Sequence, residues 1–92
     1  MEQRNDHKQN LVGPVVRRAR IAAGLSQEAL AAKLQVAGWD LTRAGLSKIE
    51  ARLRRVNDAE LLMLSKVLQC SVADLYPAKS ADMAQVLRQS RG

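Results

Sequence analysis

The sequence has no phenylalanine, one tryptophan, one tyrosine, one cysteine, one histidine and two prolines among its 92 residues. Each scarcity excludes something. A single cysteine, Cys70, permits no internal disulfide, and with only His7 beside it no zinc set can be assembled. Trp39 and Tyr76, far apart in the chain, are too few for the stacking platforms on which proteins hold unpaired bases. No apolar run approaches the ~18 residues of a membrane span, so a soluble protein with no segment in a membrane is expected. The segment Met1 to Asn10 is polar and of mixed charge, without the apolar stretch of a secretion signal, so a cytoplasmic protein with a flexible arm over residues 1–10 is expected. Arg4 and Lys8 are offset there by Glu2 and Asp6, which makes the arm a poor reader of a minor groove. No nucleophile–base set, phosphate loop or paired carboxylates point to catalysis, and no cofactor or metal is implied.

Positive charge is what the chain has in excess. Fifteen Lys and Arg face nine Asp and Glu, a net +6 at a length that fits one domain with one small core. Such a balance implies an anionic partner: duplex nucleic acid first, then a membrane surface or an acidic protein.

The apolar spacing is helical almost throughout. One pattern recurs four times: an apolar residue, a small polar residue, then an apolar residue five positions after the first. It occurs at Leu25–Ser26–Leu30, Leu41–Thr42–Leu46, Val56–Asn57–Leu61 and Cys70–Ser71–Leu75. In each, the polar side chain can accept a free first-turn N–H while the apolar pair staples the chain entry. Glu60, three residues after Asn57, completes a capping box. Pro14 suits the first turn of an earlier helix, and Gly24 its end. The expectation is an all-α domain of five helices over 14–23, 27–35, 43–53, 58–69 and 72–76, within residues 11–77. The tail, 78–92, carries Met83, Val86 and Leu87, so 81–89 is expected as a sixth amphipathic helix that needs the domain or a second copy to cover it.

Three stretches carry a resemblance: Arg20-Ile-Ala-Ala-Gly-Leu-Ser-Gln-Glu-Ala-Leu-Ala31, then Leu46-Ser-Lys-Ile-Glu50, then Leu61 to Tyr76 ending in Cys-Ser-Val-Ala-Asp-Leu-Tyr. Together they make residues 16–76 resemble the Cro/cI-type helix-turn-helix family, also called XRE, with the fold of a phage-repressor domain. The resemblance implies that the helix after Thr42 enters the major groove and meets base edges with its first turns. Thr42, Arg43, Ala44, Ser47 and Lys48 would then be the base-contacting set. Arg43 suits a bidentate contact to guanine, Ala44 a thymine methyl, and Lys48 a base or a phosphate. Gln27 is implied as a phosphate ligand at a positive helix end. Arg52, Arg54 and Arg55 follow as further phosphate contacts, and Arg20 with Glu50 as a partly buried structural ion pair that also aims Arg20 at the DNA backbone. The charge distribution agrees: residues 41–56 hold five Lys/Arg and one Glu, a net +4, whereas 57–76 hold one Lys and three acids, a net −2.

The chain departs from the family pattern in two places. The turn 35–41 is about four residues longer than usual, and its Trp39 either covers the core edge or reaches the DNA backbone. Arg52 stands where the family commonly has glycine, so the third helix is expected to continue through Leu53. Gly45 within that helix allows a close approach, either of DNA or of a neighbouring helix. Cys70 reads as a small packed residue, not a reactive thiol. The function expected is a sequence-specific, repressor-like regulator that binds double-stranded DNA as a homodimer. Its dimer surface would run from Val72 through Met83, Val86 and Leu87. Phage repressor, restriction–modification controller and antitoxin remain open within that class. A helical adaptor or antitoxin whose main partner is another protein is the alternative.

Overall fold

The computed structural model describes residues 8–78 and 83–89. The chain runs through α1 (Gly13–Ala22), α2 (Gln27–Val36), α3 (Arg43–Glu50), α4 (Asp58–Leu68), a single 3-10 turn (Ala73–Leu75) and α5 (Met83–Gln89), with no strand among the described residues. The all-α expectation holds, and the fifth expected helix contracts to the 3-10 turn. Of the tail, α5 falls inside the expected sixth helix, whereas 79–82 and 90–92 lie outside the described residues, as do 1–7 of the arm.

Each of the four expected caps forms. Ser26 Oγ accepts the Ala29 N–H at 2.9 Å and Thr42 Oγ1 that of Gly45 at 3.0 Å. Asn57 and Glu60 make a reciprocal capping box, with side-chain-to-backbone distances of 2.8 and 3.1 Å. Ser71 and Asp74 repeat that exchange at 3.1 and 3.2 Å. Such caps contribute about 1 kcal/mol each.

The four helix ends share one geometry as well. The N–H groups of Leu25, Trp39, Leu53 and Cys70 donate back to the carbonyls of Arg20, Leu34, Lys48 and Ser65, the six-to-one bond of a Schellman motif. That motif needs one left-handed residue, supplied by Gly24 (φ 76°) and Gly38 (φ 112°) after α1 and α2. After α3 and α4 it is supplied by Arg52 (φ 66°) and Gln69 (φ 61°). The expected continuation of the third helix through Leu53 is therefore corrected. Arg52 takes the left-handed conformation despite its Cβ, α3 stops at Glu50, and Leu53 turns outward, 54% exposed, instead of joining the core. Two bonds hold Arg52 there: its Nε donates to Asn10 O at 2.8 Å, and its carbonyl accepts the Gln9 N–H at 3.0 Å.

The arm expected over 1–10 accordingly loses its last residues to the domain. Asn10 is buried; its Oδ1 accepts the Gly13 N–H at 2.9 Å and its amide donates to Ile49 O at 3.1 Å and Arg54 O at 2.9 Å. One side chain thus caps the start of α1 and satisfies a carbonyl at the end of α3. The contact is close enough that a Cβ on Gly13 would collide with the Ile49 carbonyl. At Gly45 the close neighbour is not another helix: a Cβ there would stand 2.7 Å from Leu41 Cδ1, the staple residue of the helix's own entry turn.

The core gathers Val12 and Val16 from the α1 region, Leu30 and Leu34 from α2, Leu41, Leu46 and Ile49 at α3, Leu61 and Leu64 from α4, and Leu75. Burying each Leu or Ile contributes roughly 1.5–3 kcal/mol, which is why the stapled positions determine how the helices pack. Trp39, Val56, Met63, Val67, Leu68 and Cys70 are half-buried against this cluster. Trp39 therefore covers the core edge.

Candidate nucleic-acid interface

One carboxylate organises the three helices that would meet a ligand. Arg20 on α1 donates from Nε to Glu50 Oε2 at 2.7 Å and from Nη2 to Glu50 Oε1 at 3.0 Å. Its remaining Nη1 donates to Leu25 O, in the turn into α2, at 2.8 Å. Gln27, in the first turn of α2, donates its amide to the same Glu50 Oε1 at 3.0 Å. Arg20 and Glu50 are 8% and 7% exposed, so α1, α2 and the last turn of α3 are fixed to one another by a pair held away from bulk water. The hydrogen bond to Glu50 raises the Arg20 pKa above its ordinary range, against the opposing effect of burial. The pair forms as a bidentate contact, and Nε, Nη1 and Nη2 each donate within the protein.

This node sets the orientation of α3. Thr42, Arg43, Ala44 and Lys48 are exposed and Ser47 is half-buried, while Leu46, Ile49 and Glu50 point inward. Arg43 and Lys48 have no protein partner among the described residues. Thr42 commits its oxygen to the cap, so its part is first to start the helix where Arg43 and Ala44 become available. Ser47 lies in a shallow cleft with Arg17, Gln27, Glu50 and Ala51, where α1, the start of α2 and α3 converge. The long turn is braced by Gln35, whose amide donates to Leu41 O at 2.8 Å.

The expected phosphate ligands divide. Gln27 sits at the start of α2 as expected, though one amide hydrogen is engaged by Glu50. Arg55 is exposed. Arg52 is half-buried, and its Nε donates to Asn10 O at 2.8 Å. Arg54 is half-buried as well: Nη1 and Nη2 meet the two oxygens of Glu60 at 3.3 and 3.1 Å, and its guanidinium stands 6.0 Å from the Trp39 ring centre. Together they pin the α2–α3 turn to the start of α4. Arg17, which the sequence reading passed over, is exposed beside Gln27 and Ser47. Its signal was available: three residues before Arg20, it lies on the same flank of α1.

A helix-turn-helix family model matches residues 16–75, from within α1 to the end of the 3-10 turn. The chain belongs to the helix-turn-helix family, in its XRE branch. With the family comes the general function of a DNA-binding, non-enzymatic transcription regulator. Among solved structures, the chain is similar to the restriction-modification controller protein C.AhdI from Aeromonas hydrophila. The identity is 32% and the TM-score 0.64, over 78% of this chain and 100% of the other. A comparison with curated proteins returned no match. Among the described residues of this helix-turn-helix protein, no helix is long and apolar enough to cross a membrane, and no His/Cys/Asp/Glu group is placed to hold a metal.

Proposed function

We propose that this helix-turn-helix protein is a cytoplasmic, repressor-like regulator that reads a specific duplex-DNA sequence as a homodimer. The observation that carries the reading is the presentation of α3: Arg43, Ala44 and Lys48 stand exposed on a helix whose opposite face is locked by Leu46, Ile49 and Glu50. Arg43 and Lys48 read base edges, Ala44 makes an apolar contact, and Ser47 adds a hydrogen bond. Gln27, Arg17 and Arg55 contact phosphates on either side. One recognition helix covers too few base pairs for useful specificity, so two copies bind half-sites about 34 Å apart. Tyr76, Met83 and Leu87 are each about half exposed or more, which supports the C-terminal region as the dimer surface. The similarity to C.AhdI favours control of a restriction–modification system over the phage and antitoxin roles.

Selection of bound sites from random duplex DNA tests the reading. The wild type is expected to enrich a two-fold-symmetric site, and Arg43→Ala or Lys48→Ala to relax discrimination by ~1–3 kcal/mol at a defined base pair. Unchanged sequence preference in both variants would refute the placement of α3 in the groove. A monomer in sedimentation at high micromolar concentration would refute the dimer. Absence of salt-sensitive DNA binding would favour the adaptor reading.

A further inference from the structure

The α2–α4 seam opens on the surface as a groove that the DNA-reading role does not use. At one end Ala32, Lys33 and Val36 of α2 face Lys66, Val67 and Gln69 of α4 and its terminus. One turn back along α4, a second hollow is lined by Gly38, Trp39, Asn57, Ala59, Glu60 and Met63, with the Glu60 carboxylate taken up by Arg54. Val36 is 90% exposed, the most open of the large hydrophobic residues described. Trp39, Met63 and Val67 lie half-buried along the floor. Lys33 and Lys66 are exposed, no carboxylate lines that end, and neither lysine has a protein partner among the described residues. Each lysine offsets the negative end of its own helix, which explains a basic residue there but not an uncovered valine next to it. No residue of α3 lines the groove.

We propose that this groove docks an acidic amphipathic helix of a partner protein. Its apolar stripe covers Val36, Met63 and Val67, and its carboxylates meet Lys33 and Lys66, the helix-in-groove mode with a charged rim. Charge selects this occupant over a second copy of the chain. The amphipathic helix that a second copy would offer is α5, and Met83–Gln89 contains Arg88 and no acidic residue. The inference does not depend on the operator reading, because the groove and the DNA-reading face share no residue.

Trp39, the only tryptophan, stands at the end of the groove and reports on it. The full-length chain is titrated, at roughly 0.15 M salt to screen non-specific charge, with a synthetic helix bearing leucines at i, i+3, i+4 and i+7 and flanking glutamates. A scrambled peptide of the same composition and a lysine-flanked version serve as controls. A saturable change in Trp39 emission is expected for the glutamate helix alone, with at least about tenfold weaker binding to Val36→Glu. A Lys33→Glu, Lys66→Glu double variant should transfer the preference to the lysine-flanked helix. Equal binding of the scrambled peptide, or indifference to Val36→Glu in a variant with wild-type circular dichroism, overturns the proposal. Loss of a wild-type oligomer in Val36→Glu on sedimentation assigns the groove to self-association and overturns it too. So does weakened DNA binding by the lysine double variant, which would give the lysines to DNA.

Discussion

Replacing Arg20 with alanine tests whether the buried ion pair holds the domain together. Three donors leave at once: two from Glu50, at 2.7 and 3.0 Å, and one from the Leu25 carbonyl, at 2.8 Å. The carboxylate left behind is 7% exposed and keeps only the Gln27 amide, at 3.0 Å. Removing one partner of a buried pair typically costs 3–5 kcal/mol, most of it the cost of the stranded charge. Because Gln27 still donates to Glu50, the lower end applies, about 3 kcal/mol. In a domain of this size 1 kcal/mol moves the midpoint by roughly 4–8 °C, so Arg20→Ala should melt some 12–24 °C below wild type. A double variant with Glu50→Ala should lose clearly less than the sum of the two singles, because the second change removes the stranded carboxylate. The pH dependence has a definite sign. The Arg20 pKa is raised in the folded state, so its contribution is fully present below the unfolded pKa and lost only as pH rises through the folded one. Both lie at strongly alkaline pH, and the wild-type advantage from this residue should be flat from about pH 5 to 9. Thermal melts followed by circular dichroism provide the measurement. A midpoint shift below about 4 °C, or strict additivity in the double variant, would refute the role given to the pair.

Asn10→Ala should destabilise the domain by about 1–3 kcal/mol in denaturant unfolding, because it leaves the Ile49 and Arg54 carbonyls and the Gly13 N–H short of a partner. Gln69→Gly should stabilise by roughly 1 kcal/mol, since Gln69 holds a left-handed φ of 61° that costs an L residue energy and glycine very little. Arg52→Gly relieves the same strain but surrenders the Nε bond to Asn10, so it should gain less than Gln69→Gly. Burial, reinforced by the charge of Asp74, raises the Cys70 thiol pKa, so iodoacetamide should alkylate it more slowly in the folded protein than in urea at pH 7.5.

The helix starts were legible because a cap is local chemistry: Ser26, Thr42, Asn57 and Ser71 each satisfy an N–H three residues away. The Arg20–Glu50 pair was legible only through family resemblance, since nothing in a spacing of thirty residues announces a contact. The end of α3 was misread because absence of glycine was equated with continuation. A left-handed arginine costs about 1–2 kcal/mol, and the closing bonds to Ile49 and Lys48, with the tie to Asn10, offset it. Asn10 was missed although its signal is simple, a capping residue three before Gly13 and four before Pro14. Arg52 and Arg54 looked like DNA contacts because sequence shows a cation without its acceptor. Glu60 and the Asn10 carbonyl are acceptors that only the folded loop brings close.

That reassignment changes what the charge of +6 can mean for binding. If every cation near α3 met a phosphate, then Arg17, Arg43, Lys48, Arg52, Arg54 and Arg55 would give a log–log salt slope of about −5 per protomer, at −0.9 for each phosphate. With Arg54 paired to Glu60 at 3.1 Å and Arg52 bonded to Asn10, four of the six remain; Arg17 and Arg55 on phosphates give a slope of about −2 per protomer, and about −4 is the limit reached if Arg43 and Lys48 meet phosphates as well as bases. Three other cations act inside the fold: Arg54 joins the long turn to α4, Arg52 closes α3, and Arg20 joins α1 to α3. The two uses separate experimentally. Arg17→Ala should reduce the slope by nearly one per protomer and leave the melting midpoint almost unchanged, whereas Arg54→Ala should lower the midpoint and leave the slope intact. A reduced slope for Arg54→Ala at undiminished stability would return that arginine to the DNA and undo the division.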